Sequence, residues 1–215
     1  RWADDALVLQ AEGLARSGSC DAAESVIAEA RATAKDVALR ERLDLAEAQC
    51  ELSAGRPVQA QAALTGALKS KDQSRRSRAE YFAGVAAAVR LDYGAAVEHL
   101  QRSREPAARP ARAHALLALG RAAEAAAVID AIGDDPIPET ERADLLAQLA
   151  AVGGPEMASA TLDRLLTHAR IPFDEQARLL IDDGDRRAAQ GDYQEADASY
   201  RHAIVVAGLT SNTAG

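Results

Sequence analysis

The stretch QGDYQEADASYRHAI, residues 190–204, decides the fold. It gathers two tyrosines, a histidine and three carboxylates into fifteen positions, so it reads either as a reactive cluster or as a packed helix. Tyr193, Ala196, Tyr200, Ala203 and Ile204 follow one another at steps of three, four, three and one, which keeps them on one helical stripe. The same beat of alanine, large apolar and small residue occurs earlier as Ala23, Ile27, Ala30, as Ala60, Leu64, Ala67, and as Ala96, Leu100, Ser103. Looser copies are Ala125, Ile129, Ile132 and Ala158, Leu162, Leu165. The leading alanines stand 37, 36, 29, 33 and 38 residues apart, a spacing that belongs to stacked helical hairpins. The stretch is therefore read as packing.

A turn precedes each of these helices, at 17–19, 55–57, 92–94, 120–121, 153–155 and 191–192. Glycine supplies the left-handed conformation that ends one helix, and Asp192 with Glu195, or a proline at the first helical position, starts the next. First helices are expected at 3–16, 38–53, 78–90, 111–119, 139–152 and 174–190. Gly84 with Ala96, and Gly184 with Ala196, mark places where helix axes approach closely. The expected architecture is all-α: a right-handed superhelix, or α-solenoid, of about six hairpin repeats. One domain is expected over 1–208, with repeats near 3–34, 38–70, 78–105, 109–133, 139–170 and 174–208 and a tail at 209–215.

Composition agrees with this reading. Hydrophobic residues make up 48% of the 215 positions but aromatics only 3%, and alanine and leucine dominate, both good helix formers. Strand-like alternation is missing. A net charge of -8 argues against nucleic acid as a partner, since phosphate binding needs a basic face. No apolar run is long enough for membrane insertion. Cys20 and Cys50 lack the spacing of a metal site and read as ordinary semi-buried residues rather than a disulfide.

Residues 180–204, LIDDGDRRAAQGDYQEADASYRHAI, resemble a tetratricopeptide repeat, with Gly184, Gly191, Tyr193, Ala196, Tyr200 and Ala203 at that family's small and aromatic packing positions. Residues 80–103 are the next best copy, matching through Gly84, Tyr93, Ala96 and Leu100. Arg187 and Ala87 stand where the family usually keeps an aromatic, and Pro106 and Pro110 break into a short fourth unit. The resemblance implies a non-enzymatic scaffold that binds a protein or extended peptide along the wall formed by first helices. One subgroup of the family clamps a C-terminal carboxylate with lysine and asparagine. Here the corresponding positions hold Val8 and Glu12, Leu45 and Gln49, Tyr81 and Val85, and Pro110 and His114, so that clamp is not expected.

Chemistry-bearing patterns are sparse. His99, His114, His168 and His202 are scattered over different repeats and read as surface or edge residues. Asp182, Asp183 and Asp185 lack the ligand spacing of a calcium loop and read as a solvated helix face. No phosphate loop, dinucleotide fingerprint or nucleophile–base signature occurs, so neither catalysis nor a cofactor is expected. The basic run at 69–78 reads as a polar connection that starts a helix. For the partner-binding groove the sequence nominates Arg42, Leu45, Gln49, Arg78, Tyr81, Val85 and His114, a mixed wall with positive character near one lip.

The leading expectation is a protein-interaction scaffold. A second is the sensor or oligomerisation arm of a larger bacterial signalling or transcription regulator, and a third is an envelope-associated assembly factor. The chain opens on Arg1 rather than methionine, which suggests a piece of a longer protein. A cytoplasmic location is expected, unless a signal sequence lies upstream.

Overall fold

A computed structural model describes residues 2–133 and 135–212 and contains only helices, turns and connecting segments among them. The chain divides into two compact units, residues 1–115 and 116–215. In unit 1 the helices are α1 (Trp2–Arg16), α2 (Cys20–Thr33), α3 (Val37–Ser53), α4 (Pro57–Ala63), α5 (Gln73–Val89) and α6 (Tyr93–Arg102), with a 3-10 turn at Ala67–Lys69 after α4. The boundary falls inside α7 (Ala108–Ala118). Unit 2 continues with α8 (Ala122–Ile132), α9 (Glu139–Gly153), α10 (Pro155–His168), α11 (Phe173–Ala189) and α12 (Tyr193–Asn212). The last helix thus runs beyond residue 208, and 213–215 of the expected tail lie outside the described residues.

Packing repeats from hairpin to hairpin. First helices adjoin first helices, α1 with α3, α3 with α5, and α9 with α11. Second helices also pack on the first helix of the following hairpin, α2 on α3, α4 on α5, α8 on α9, and α10 on α11. That nearest-neighbour pattern is the arrangement of an α-solenoid. The alanine beat supplies its interior: Ala23, Ile27, Ala30, Ala60, Leu64, Ala67, Ala125, Ile129, Ala158 and Leu162 are all buried.

Five turns close with the same main-chain bonds. The amides of Ser19, Arg56, Asp92, Arg121 and Asp192 donate to the carbonyls of Leu14, Glu51, Ala87, Leu116 and Arg187. In each case the residue before the donor has positive φ. Glycine holds that position in four of the five, at 18, 55, 120 and 191, but the third turn uses Leu91 at φ 63°. Gly94, expected to serve there, is instead inside α6, and Asp92 caps that helix by accepting from the Ala95 amide at 3.1 Å.

Two first helices start more than one residue away from expectation. α5 begins at Gln73, five residues ahead of 78, because Asp72 accepts from the Arg75 amide at 2.9 Å and caps the helix within the basic run. α7 begins at Ala108 with Pro110 in its first turn, where a missing amide proton costs no helical bond.

Within residues 190–204 the packed stripe differs from the expected one. Tyr193 is 72% exposed and Ile204 71% exposed, so neither belongs to the packed stripe. Tyr193 is the first residue of α12, and Ile204 is rotated by about 100° from buried Ala203. The buried stripe is Ala196, Ser199, Ala203 and Val206, and Tyr200 lies half-buried against Gly184. A Cβ on Gly184 would come within 2.5 Å of the Tyr200 ring, so the close approach expected against Ala196 is made by that ring.

Asp183 is not solvated. It is 3% exposed, and it accepts hydrogen bonds from Ser159 Oγ at 2.5 Å, Ser199 Oγ at 2.8 Å and Arg187 Nε at 2.7 Å. Arg186 Nη1 adds an ion pair at 3.1 Å. Burial alone would raise this carboxyl, but the two serines and two arginines outweigh it and hold it below the usual range. α10, α11 and α12 are joined through that one carboxylate.

Candidate binding groove

Arginine–glutamate pairs stitch neighbouring first helices. Arg42 on α3 makes a two-pronged bridge to Glu12 on α1, with both N–O distances 2.7 Å. Arg75 on α5 reaches Glu41 on α3 at 2.7 Å, and the Ser70 hydroxyl donates to the same buried carboxylate. In unit 2, Arg142 on α9 meets Glu175 on α11 at 2.7 Å, both nearly removed from solvent. Arg178 repeats the link to Glu139 at 2.7 Å nearer the surface.

These contacts account for much of the nominated unit 1 face. Gln49 donates to the Ala15 carbonyl at 3.3 Å and accepts from Arg78 at 3.3 Å, while Arg78 stacks 5.5 Å above the Phe82 ring. Tyr81 sits half-buried with its ring 5.5 Å from Phe82. Leu45 is only 7% exposed and belongs to the core cluster with Ala48, Leu64 and Phe82, so it supports this face from beneath instead of lining it. Val85 is half-buried on α5, and His114 is half-buried on α7. Arg42, Leu45, Gln49, Arg78, Tyr81 and Val85 thus share α3 and α5, but the positive lip is already neutralised or hydrogen-bonded at Arg42 and Arg78.

A surface of more apolar character lies in unit 2, between α9 and α11. There a groove of about 560 Å³ has a floor of Ala143, Ala147, Ala150 and Ala151 with Leu146 and Leu179 beneath. Asp144, Asp182, Arg186 and Gln190 stand on its walls. From Ala143 onward α9 is apolar on two sides, because Leu145, Leu146 and Leu149 fill its core side while Ala147 and Ala151 remain exposed. The signal in the sequence is that second, alanine side of one helix. Alanine at helical spacing reads equally well as packing, so the sequence does not mark this side as open.

Other reactive groups are absorbed by the fold. His99 Nδ1 lies 2.6 Å from Glu80 and ties α6 to α5, whereas His168 and His202 are exposed. Cys20 and Cys50 are free thiols. Burial, reinforced by Cys20, pushes the Cys50 thiol up to about 12. Among the described residues no group of three or more potential ligands could hold a metal ion, and no helix is long and apolar enough to cross a membrane.

The helices, their neighbour pattern and this first-helix groove define an all-α solenoid of the tetratricopeptide-repeat type of fold. A solved tetratricopeptide repeat protein from Parabacteroides merdae is similar to the chain with a TM-score of 0.54 and 18% identity, over 99% of this chain and 84% of the other. At that identity the likeness is one of fold. No family model matches the sequence, and no curated protein matches it.

Proposed function

We propose that this chain is a non-enzymatic interaction scaffold that takes an extended segment of a partner protein along its first helices, with the α9–α11 groove as the principal seat. The observation that carries this reading is the groove itself: about 560 Å³, floored by small side chains and bordered by a few polar groups. Stacked first helices present such surfaces because each hairpin buries only its inner stripe. In unit 1 we read Arg42, Gln49, Arg78, Tyr81 and Val85 on α3 and α5, with His114 on α7, as further contact residues over the Leu45 core.

Ala147 is exposed on the groove floor, so Ala147→Trp fills the groove without entering the core. Binding of the full chain to an array of short synthetic peptides is expected to disappear in this variant while its helical circular dichroism is unchanged. Undiminished binding would remove the groove from the reading. Tyr81→Ala on the same array tests the unit 1 surface, with loss of a subset of peptides expected.

A further inference from the structure

Charge on the α9–α11 groove is uneven. Carboxylates enter from both walls, Asp144 from α9 and Asp182 from α11. The arginine on the wall, Arg186, is answered from inside the fold by buried Asp183 at 3.1 Å. Arg178, one turn before Asp182, is held by Glu139 at 2.7 Å. Both guanidiniums are therefore partly engaged outside the groove, and Arg186 offsets only part of the charge of its two carboxylates. Asp144 accepts only a neutral amide donor among its described bonds, Gln148 Nε2 at 2.8 Å.

Asp182 reports the same imbalance. Partial desolvation by the groove walls and the neighbouring Asp185 charge raise the carboxyl of this exposed residue, Arg186 lowers it, Glu139 raises it again, and the net direction is upward. A cation placed there would relieve that repulsion. The floor beside it consists of alanine methyl groups, on which the alkyl stem of a long basic side chain can lie while its head reaches the carboxylates. A chain with net charge -8 also attracts a basic segment at long range.

We propose that the groove selects a partner segment presenting a lysine or arginine next to small aliphatic side chains, with the cation at Asp144 and Asp182 and the aliphatic groups on the alanine floor. This rests on the scaffold reading above and specifies the chemistry of its partner.

The test uses the full chain and a peptide array in which every position is scanned through all residue types. Lysine or arginine is expected to dominate one position, flanked by alanine, valine or leucine. Changing that basic residue to glutamine should weaken binding by roughly tenfold. In an Asp144→Asn, Asp182→Asn double variant with unchanged circular dichroism, the same change should have little effect. Two results overturn the proposal: no basic preference on the array, or a basic preference that survives intact in the double variant. Both leave the scaffold reading standing provided Ala147→Trp still abolishes binding. Binding indifferent to Ala147→Trp, or an array on which no peptide binds, defeats the proposal and the groove reading together.

Discussion

Leu91 occupies the left-handed region, at φ 63°, with its side chain 71% exposed. A branched apolar residue gains little from that position and strains the backbone, at a cost on the order of 1 kcal/mol. Leu91→Gly is expected to raise the unfolding free energy by about 0.5–1 kcal/mol, seen as a higher urea midpoint with unchanged slope. A lower midpoint would mean that the leucine side chain contributes packing that outweighs the strain. Asp183 behaves oppositely, since its four partners depend on its charge. Asp183→Asn should cost about 3 kcal/mol at neutral pH, because it leaves two guanidinium groups poorly compensated. The folded carboxyl titrates below its unfolded value of about 3.9, so this contribution is complete above that pH and fades as pH falls through the folded value. The gap between wild type and variant should accordingly stay constant from neutrality to about pH 4 and close only in stronger acid. Urea titrations at several pH values check this, and a gap that already closes near pH 6 would count against the depressed carboxyl. Neither residue could be assigned from the sequence. A glycine stood three positions beyond Leu91 to draw the eye, and Asp183 shares its neighbourhood with the exposed Asp182 and Asp185.

At the scale of elements, the meeting of α11 and α12 turns on Gly184, whose missing Cβ leaves room for the Tyr200 ring. That ring is held by its hydroxyl, which donates to Asp185 at 2.7 Å, so it cannot swing away freely. Gly184→Ala should destabilise by about 1–3 kcal/mol in the native background. In a Tyr200→Ala background the same change should become stabilising, by up to about 1 kcal/mol, because only the helix propensity gain remains. Thermal or urea unfolding of the four proteins measures the coupling, and a sign that does not invert would place the conflict elsewhere. Helix pairing was readable in advance because alanine and large apolar residues recur at helical steps, and all six marked alanines are buried. Helix starts were less so: the α5 start depends on Asp72 reaching an amide inside a run that looks like linker. The groove was the least readable of all. Its floor uses the residue type that also fills the core, and its charge depends on which arginines the interior has already claimed.

For the whole molecule, contacts between adjacent hairpins hold each of the two units. Stability in such arrays is a sum of local and nearest-neighbour contributions, so damage should stay near its source. Asp183→Asn is expected to raise amide exchange in α10, α11 and α12 while leaving α3 as protected as in the wild type. Hydrogen exchange followed by mass spectrometry reads this directly, and uniform loss of protection would show that the chain opens as one body. The turn bonds carry a separate consequence. Their donors and acceptors, from Ser19 to Leu14 through to Asp192 to Arg187, are main-chain groups, so the clasp between two helices is independent of side-chain identity apart from the residue with positive φ. The five turns are then equivalent couplings, so a segment bearing a desired recognition face can be joined at them without redesigning the turn itself, provided its side-chain links to the neighbouring hairpins are kept.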